Sequence, residues 1–276
     1  MKPKSADDIR AFWQDAAQSE TDDQGLRPTA RDPYLQLAVE DIIESYLDAG
    51  QSVLDVGCGD GHSTLRFAAR TKQITGVDYI EGFVERARQN AAAQGVKNAL
   101  FEQGDVTDLE TIRGRHGIFD AVISIRCLIN LPTVAMQDAA LVEIARSIRP
   151  GGLFLCSEGW LEGWEGLNRL RALSGLERMQ LVRYNRLIER ARFETTASRF
   201  FERIAYGGVG LYLFVSRVLQ PCLVRPDSPQ HTHPLNKVGH ELQASLGLGE
   251  RFDEFDYAGV LIFRRLDSGG NAPRPV

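Results

Sequence analysis

The 276-residue sequence is short of the features that would commit it to a special environment. Its four cysteines, Cys58, Cys127, Cys156 and Cys222, lie far apart with no Cys-x-x-Cys pair, which argues against a disulfide framework or a cysteine zinc site. No run of about eighteen apolar residues exists to cross a bilayer. The segment from Met1 to Asp8 lacks the apolar stretch of a secretory signal, so a cytoplasmic chain is expected. Basic charge is not in excess: the formal net charge is −5, which speaks against indiscriminate nucleic-acid binding. Histidine is scarce, and the His231-x-His233 pair has no third ligand in view, so no metal is expected. There is no internal repeat. The 43% of hydrophobic residues suffices for one large domain, or one domain with additions.

The most informative stretch is Val53-Leu54-Asp55-Val56-Gly57-Cys58-Gly59-Asp60-Gly61-His62-Ser63, a buried strand running into a glycine-rich turn and then a helix. Glycines at 57, 59 and 61 let the backbone approach a ligand and take positive φ where the chain reverses. A dinucleotide fingerprint would need its third glycine at His62, and a phosphate-binding P-loop would need Gly-Lys-Ser/Thr. Neither fits. About twenty residues on, the strand-like Gln73 to Val77 ends at Asp78, where doubly wound folds place a ribose-binding carboxylate.

An acidic residue followed by Gly-x-Gly-x-Gly, matched by Asp55, Gly57, Gly59 and Gly61, resembles the first motif of the class I S-adenosylmethionine-dependent methyltransferases. The resemblance runs from about Ser45 to Glu158. It implies that Asp78 binds the ribose, that Tyr79 and Ile80 flank the adenine, and that Gly104-Asp105-Val106 after strand three contacts the base. Phe119 to Ile125, with Ser124 near its end, is similar to the fourth motif, which faces the methyl group being transferred. Arg149-Pro150-Gly151-Gly152 is the turn before strand five. The implied cofactor-binding set is Asp55, Gly57, Cys58, Gly59, Gly61, Asp78, Tyr79, Ile80, Gly104, Asp105, Val106 and Ser124, and the cofactor is S-adenosyl-L-methionine, leaving as S-adenosyl-L-homocysteine.

The fold implied is α/β, a doubly wound seven-stranded Rossmann-like methyltransferase sheet with an antiparallel last strand, an N-terminal helical cap and a helical insertion after strand five. The cap occupies 1–47, the core 48–159 and 204–266, the insertion 160–203, and 267–276 reads as a disordered tail. Helical spacing of Ile9, Phe12, Trp13 and Ala16, and of Leu37, Ile42, Ile43 and Tyr46, predicts two cap helices. Trp160 to Arg192 reads as one or two helices. Gly210 to Ser216 reads as strand six, Tyr257 to Phe263 as the last strand, and the proline-rich Gln220 to His240 as loop. From Glu165 to Arg203 nine arginines face five glutamates, which reads as a solvated helical face with pairs such as Glu165 to Arg169. In the alternative, Asn168 to Arg171 with Trp160 and Trp164 lines an acceptor pocket.

Positioning a nucleophile is the principal task in methyl transfer from a sulfonium, and a base is needed only for a hydroxyl of high pKa. Candidates on the acceptor side are Glu158 at the end of strand five, Arg126 and Asn130 after strand four, and His231 or His233 on the proline-rich loop. Each has a plain alternative: Glu158 as a cap or loop anchor, Arg126 and Asn130 as a backbone-anchoring pair, and His62 as the start of a helix rather than a partner of the donor carboxylate. Asn-Pro-Pro-Tyr, the signature of base-directed amino methyltransferases, is absent, which lowers the odds of nucleobase methylation and leans toward oxygen. The expected acceptor is a small molecule or saccharide. An N-methyltransferase, a non-catalytic binding subunit and a homodimer stay open, while a nicotinamide oxidoreductase is disfavoured by His62.

Overall fold

The computed structural model describes residues 5–19, 21, 26–182, 184–246 and 249–267. The tail expected to be disordered lies, apart from Asp267, outside the described residues.

Two helices precede the sheet, α1 (Ala6–Ala16) and α2 (Pro33–Glu44). α1 starts with a reciprocal cap in which the Asp8 amide donates to Ser5 Oγ and the Ser5 amide donates to Asp8 Oδ2. α2 starts with Asp32 accepting from the Leu35 amide and with Pro33 in the first turn, where its missing N–H costs nothing. The sheet is then built by alternation: β1 (Ser52–Val56), α3 (His62–Ala68), β2 (Gln73–Asp78), α4 (Glu81–Gln94), β3 (Ala99–Gln103), α5 (Glu110–His116), β4 (Phe119–Ile125), α6 (Val134–Ser147) and β5 (Ile148–Ser157). Such alternation gives parallel strands covered by helices on both faces. Val53 accordingly joins one hydrophobic core, while its neighbour Leu54 and Val56 join the other.

After β5 come α7 (Leu161–Leu173), α8 (Arg190–Ala197), β6 (Phe201–Gly207), α9 (Gly210–Phe214), α10 (Gln220–Val224), α11 (Pro234–Leu246) and β7 (Val260–Arg265). The seven strands lie in the order β3-β2-β1-β4-β5-β7-β6, with β7 antiparallel to both neighbours. The seven-stranded sheet, its antiparallel last strand, the helical cap and the helical insertion are as expected from sequence. The strand order reverses between β2-β1 and β4, which opens the ligand crevice of doubly wound sheets at the strand C-termini.

Three local readings need correction. Strand six is Phe201–Gly207, not Gly210 to Ser216; it starts ahead of the expected return of the core at 204. Gly210 to Val224 is helical throughout, α9 passing through a π turn at Val215–Leu219 into α10. Its apolar run is buried at Tyr212, Leu213, Val215, Ser216 and Val218, the spacing of a sunken helix, which a short apolar run does not distinguish from a strand. The real β6 lies at the sheet edge and exposes Glu202 and Arg203, so it lacks the apolar signature. The region Gln220 to His240 is loop only between α10 and α11. In the insertion, α7 and α8 are separated by an irregular stretch that includes Met179–Val182 and Tyr184.

Candidate active site

A cavity of about 560 Å³ opens at the C-terminal ends of β1, β2, β4 and β5. Its floor is the glycine turn. Gly57 and Gly59 have φ of 73° and 54°, and a Cβ on Gly57 would sit 2.7 Å from Cys127 Cβ and Sγ. Only glycine fits there. Gly61 has another duty: it caps α3 at φ 78°, and a Cβ on it would meet Ala87 and Phe101, so it serves helix packing away from the cavity wall. Asp78 ends β2 and lies on the wall, its Oδ2 accepting from the Gly59 amide at 3.0 Å and its Oδ1 from the Ile80 amide at 2.9 Å. Burial raises its carboxyl to about 6 despite those amides. Asp55, also buried, accepts from the Thr64 hydroxyl, and desolvation with the nearby Asp78 and Glu40 charges raises it to about 7. Tyr79, Ile80 and Phe83 form an apolar wall beside Asp78, and Trp13 of α1 joins it. The Phe12 ring stacks on Tyr184 of the insertion at 4.1 Å between centroids, so cap and insertion meet over the cavity.

The turn after β4 is held from below. Glu158, 1% exposed, accepts from Ser124 Oγ at 2.6 Å and from the Cys127, Leu128 and Ile129 amides at 3.1–3.2 Å. Burial raises its carboxyl to about 7 even so. Both oxygens are engaged, so Glu158 anchors the turn, and the fully buried Ser124 serves Glu158 instead of lining the cavity. Arg126 takes φ 54° in that turn and spans to the cap, donating to the Thr29 carbonyl and Gln36 Oε1, both at 2.7 Å. Asn130 Nδ2 donates back to the Arg126 carbonyl at 2.7 Å. Arg126 and Asn130 are thus the anchoring pair that the sequence left open, and both also reach the wall.

Opposite the cradle, Trp164, Met179, Leu181, Val182, Leu187 and Tyr257 make a largely apolar surface. Asp32, Arg217 and His231 give it a polar edge. Asp32 is 6% exposed and accepts from the Tyr212 hydroxyl at 2.6 Å, the Leu35 amide at 3.0 Å and the Arg217 guanidinium. Burial alone would raise its carboxyl, but Arg217, His231, Tyr212 and the Leu35 amide together hold it well below the carboxylate range. His231 Nδ1 lies 3.5 Å from Asp32 Oδ2.

The structure therefore brings Asp55, Gly57, Cys58, Gly59, Asp78, Tyr79, Ile80, Arg126, Asn130, Glu158 and His231 around one cavity. It leaves Gly61, Gly104, Asp105, Val106, Ser124 and His233 off the wall. Asp105 is exposed and closes a turn onto Thr107, accepting from its amide and hydroxyl. His233 Nδ1 accepts from the Leu235 amide at the start of α11. Trp160 is fully buried with Nε1 donating to the Gly259 carbonyl, and Asn168 Oδ1 takes the Met179 amide, so of the alternative pocket only Trp164 lies on the wall. The arginines pair mostly across elements, Arg178 with Glu165, Arg190 with Asp253 and Arg192 with Asp138, while Arg190 also makes an i,i+4 pair with Glu194 of the kind expected for Glu165 to Arg169. His62 opens α3 and also lines the cavity. Among the described residues no three His, Cys, Asp or Glu side chains cluster as metal ligands. Asp32, Gln36, Tyr184, Arg217 and Tyr257 were not singled out from sequence, and nothing local in the sequence ties them to the cradle.

The largely parallel sheet, its reversal point and the glycine cradle beside a strand-end carboxylate define a nucleoside-binding α/β enzyme. Residues 47–194 match the family described as Methyltransferase domain, and the chain belongs to it, a class I S-adenosylmethionine-dependent methyltransferase. A demethylmenaquinone methyltransferase of Symbiobacterium thermophilum is 34% identical over 123 residues, 43% of this chain and 47% of that protein. The chain spans less than half the length of such curated relatives. Among solved structures, the phosphoethanolamine N-methyltransferase 1 of Haemonchus contortus superposes with a TM-score of 0.61 at 13% identity, over 98% of this chain and 51% of that one. The (4+2)-cyclase SpnF superposes at 0.58 with 19% identity, over 96% and 98%. These two likenesses are of fold. The cradle fits S-adenosylmethionine: Gly57 has no room for a side chain and Gly59 holds a positive φ, Asp78 retains free lone pairs, and an apolar wall stands beside it.

Proposed function

We propose that this chain transfers the methyl group of S-adenosylmethionine to a small molecule with an apolar body, held between the insertion and the cap. The observation that carries this is the single cavity of about 560 Å³ shared by the glycine cradle and the apolar surface of Trp164, Met179, Leu181, Val182 and Leu187. That is ample for a ligand site, and its walls suit an apolar acceptor better than a bare sugar. When bound, S-adenosylmethionine supplies a sulfonium methyl open to in-line displacement. The residues do the rest. Asp78 accepts from ribose hydroxyls, Tyr79, Ile80 and Phe83 sandwich the base, and Gly57, Cys58 and Gly59 let the backbone close on the donor. Arg126, Asn130 and Glu158 fix the turn that walls the transfer point, and Phe12 against Tyr184 helps exclude water. In this reading the cap 1–47 covers the donor and the insertion 160–203 selects the acceptor. A non-catalytic subunit would call for a blocked mouth, and here cradle and acceptor surface line the same cavity.

Calorimetry tests it. The protein should bind S-adenosylhomocysteine with micromolar affinity, and Met179→Arg should leave that affinity within about threefold, under about 0.7 kcal/mol, while abolishing acceptor-dependent turnover. Binding of NAD without S-adenosylhomocysteine would overturn the reading.

A further inference from the structure

We infer that His231, positioned by Asp32, takes a proton from the methyl acceptor, and that the acceptor is therefore a hydroxyl compound, an alcohol, phenol or enol. The inference rests on the methyl-transfer reading above. Four observations on one edge of the cavity carry it.

First, Asp32 is fixed. It caps α2, and the Tyr212 hydroxyl, the Leu35 amide and Arg217 occupy it from three elements. A carboxylate so held can orient a partner without moving itself. Second, the atom of His231 that faces it is Nδ1, at 3.5 Å from Asp32 Oδ2. A carboxylate beside Nδ1 favours the tautomer with the proton there, which leaves Nε2 with its lone pair. Third, the histidine stands on an anchored loop. Its carbonyl accepts from Asn236 Nδ2 at 3.0 Å, and the preceding Gln230 carbonyl accepts from Gln220 Nε2 at 2.7 Å and from Asn236 Nδ2 at 3.2 Å. Fourth, the carboxylates Glu158, Asp55 and Asp78 and the imidazole of His233 are engaged, while His62 follows the glycine turn on the donor side of the cavity. Glu158 is bound by four donors, Asp55 by Thr64, Asp78 by two amides, and His233 by the Leu235 amide.

The charged groups around His231 are Asp32 from α2 and Arg217 from the π turn, with Arg31 also on the cavity wall and Tyr212 and Tyr257 near the pair. Arg217 balances Asp32, so the imidazole can stay neutral, ready to accept a proton, without leaving Asp32 a lone buried anion. An amine that is already neutral needs no base, whereas a hydroxyl does, and that requirement gives this edge its purpose. In the step, the acceptor O–H bond breaks and its proton forms an N–H bond at His231 Nε2. The pair left on oxygen becomes the O–CH3 bond, the S–CH3 pair stays on sulfur, and the proton leaves to water from an imidazole whose side chain is 37% exposed.

The test uses the full chain, His231→Gln and Asp32→Asn, with catechol, 2-naphthol and 2-phenylethanol as hydroxyl probes and aniline, neutral at the working pH, as the amine probe. The wild type should form S-adenosylhomocysteine with at least one hydroxyl probe, with an acid limb in its pH profile when S-adenosylmethionine is kept saturating at every pH so that Asp78 does not contribute to it. His231→Gln should lose about 100-fold in that rate, lose the limb, and bind S-adenosylhomocysteine within threefold of wild type. Nitrogen-15 NMR of the acceptor-free protein should show the neutral His231 ring protonated at Nδ1, and mixed tautomers in Asp32→Asn. Should Asp32→Asn fail to fold, His231→Gln and the wild-type spectrum decide alone. Turnover of the amine with silence across the hydroxyl probes, silence with all four, an unchanged limb in His231→Gln, or protonation at Nε2 would each overturn the inference. Failure of the wild type to bind S-adenosylhomocysteine would instead overturn the methyl-transfer reading beneath it.

Discussion

Asp78 and Gly59 are joined where the wall of the cavity meets its floor by a 3.0 Å bond from the Gly59 amide to Asp78 Oδ2, so the end of β2 is locked to the turn that follows β1. The same carboxylate is positioned to receive a ribose, which makes it both a brace and a binding group. Asp78→Ala should weaken S-adenosylhomocysteine binding by about ten- to one hundred-fold, the roughly 1.5–3 kcal/mol of a hydrogen bond to a charged group. Burial raises Asp78 to about 6, and hydroxyl donors favour the ionised form. Affinity should therefore be full above pH 7 and decline as pH falls through 6, with Asp78→Asn flattening the profile. Calorimetry at pH 5, 6 and 8 checks this, and an unchanged constant would remove Asp78 from the site.

Folding stability should run the opposite way over the same range. Burial raises Asp55 and Glu158 to about 7 and Asp78 and Asp256 to about 6. These groups take up protons in the folded protein between pH 8 and 5, where the unfolded chain, with ordinary carboxyls near 4, does not. Stability then rises as pH falls through that window, offset in part by His62, because burial holds its imidazole below the ordinary value. Asp32, Glu44, Glu102, Asp120 and Glu143 are held below their ordinary values, so their contribution is complete above about pH 5 and is lost only as pH falls further. The ligand-free protein should melt higher at pH 5.5 than at pH 8 and lose stability below about pH 4. Thermal scans in matched ionic strength decide it, and a melting temperature that climbs from pH 5.5 to 8 would contradict it.

The donor half of the site was legible because its geometry is encoded over some twenty residues. A buried strand, glycines at 57 and 59 and a carboxylate at 78 state their own conformation, and the glycine requirement shows directly in what a Cβ would strike. The acceptor half is assembled from distant parts. Tyr212 reaches Asp32 across 180 positions, and Phe12 meets Tyr184 through no pattern that either segment carries alone. Elements failed where burial competes with periodicity. The sunken helix from Gly210 looked like a strand, and the true β6 looked like surface because it lies at the sheet edge. Glu158 stood in the expected place, but whether a strand-end carboxylate faces substrate or amides depends on the turn after β4, which sequence does not reveal.

Two glycines with similar backbones separate strain from contact. Gly57 and Gly95 have φ of 73° and 67°, yet a Cβ on Gly95 meets nothing within 4 Å, while one on Gly57 lies 2.7 Å from Cys127. Gly95→Ala should cost only the left-handed penalty of about 1–2 kcal/mol and leave donor binding alone. Gly57→Ala adds a collision in the cradle and should cost at least a further ~1 kcal/mol and most donor affinity. Denaturant titrations with calorimetry on both variants distinguish the terms; equal losses in both would mean that the cradle tolerates a side chain.

Glu158 separates an anchor from a catalyst. Its alanine variant strips partners from the Cys127, Leu128 and Ile129 amides and from Ser124 Oγ, in a region where Glu158, Ser124, Leu128 and Ile129 are all buried. Each buried donor left unmade costs about 1–3 kcal/mol, although local relaxation recovers part of it, so Glu158→Ala should destabilise the fold by about 3 kcal/mol or more. Glu158→Gln keeps the Oε1 acceptor used by Ser124, Cys127 and Leu128 but turns an NH2 toward the Ile129 amide, so about half that loss is expected. Turnover should follow the stability order, because the carboxylate acts through the turn that carries Arg126 and Asn130. If Glu158→Gln instead kept wild-type stability and donor affinity while turnover with a hydroxyl acceptor fell a hundredfold, the carboxylate would belong to the chemistry and His231 would lose its role.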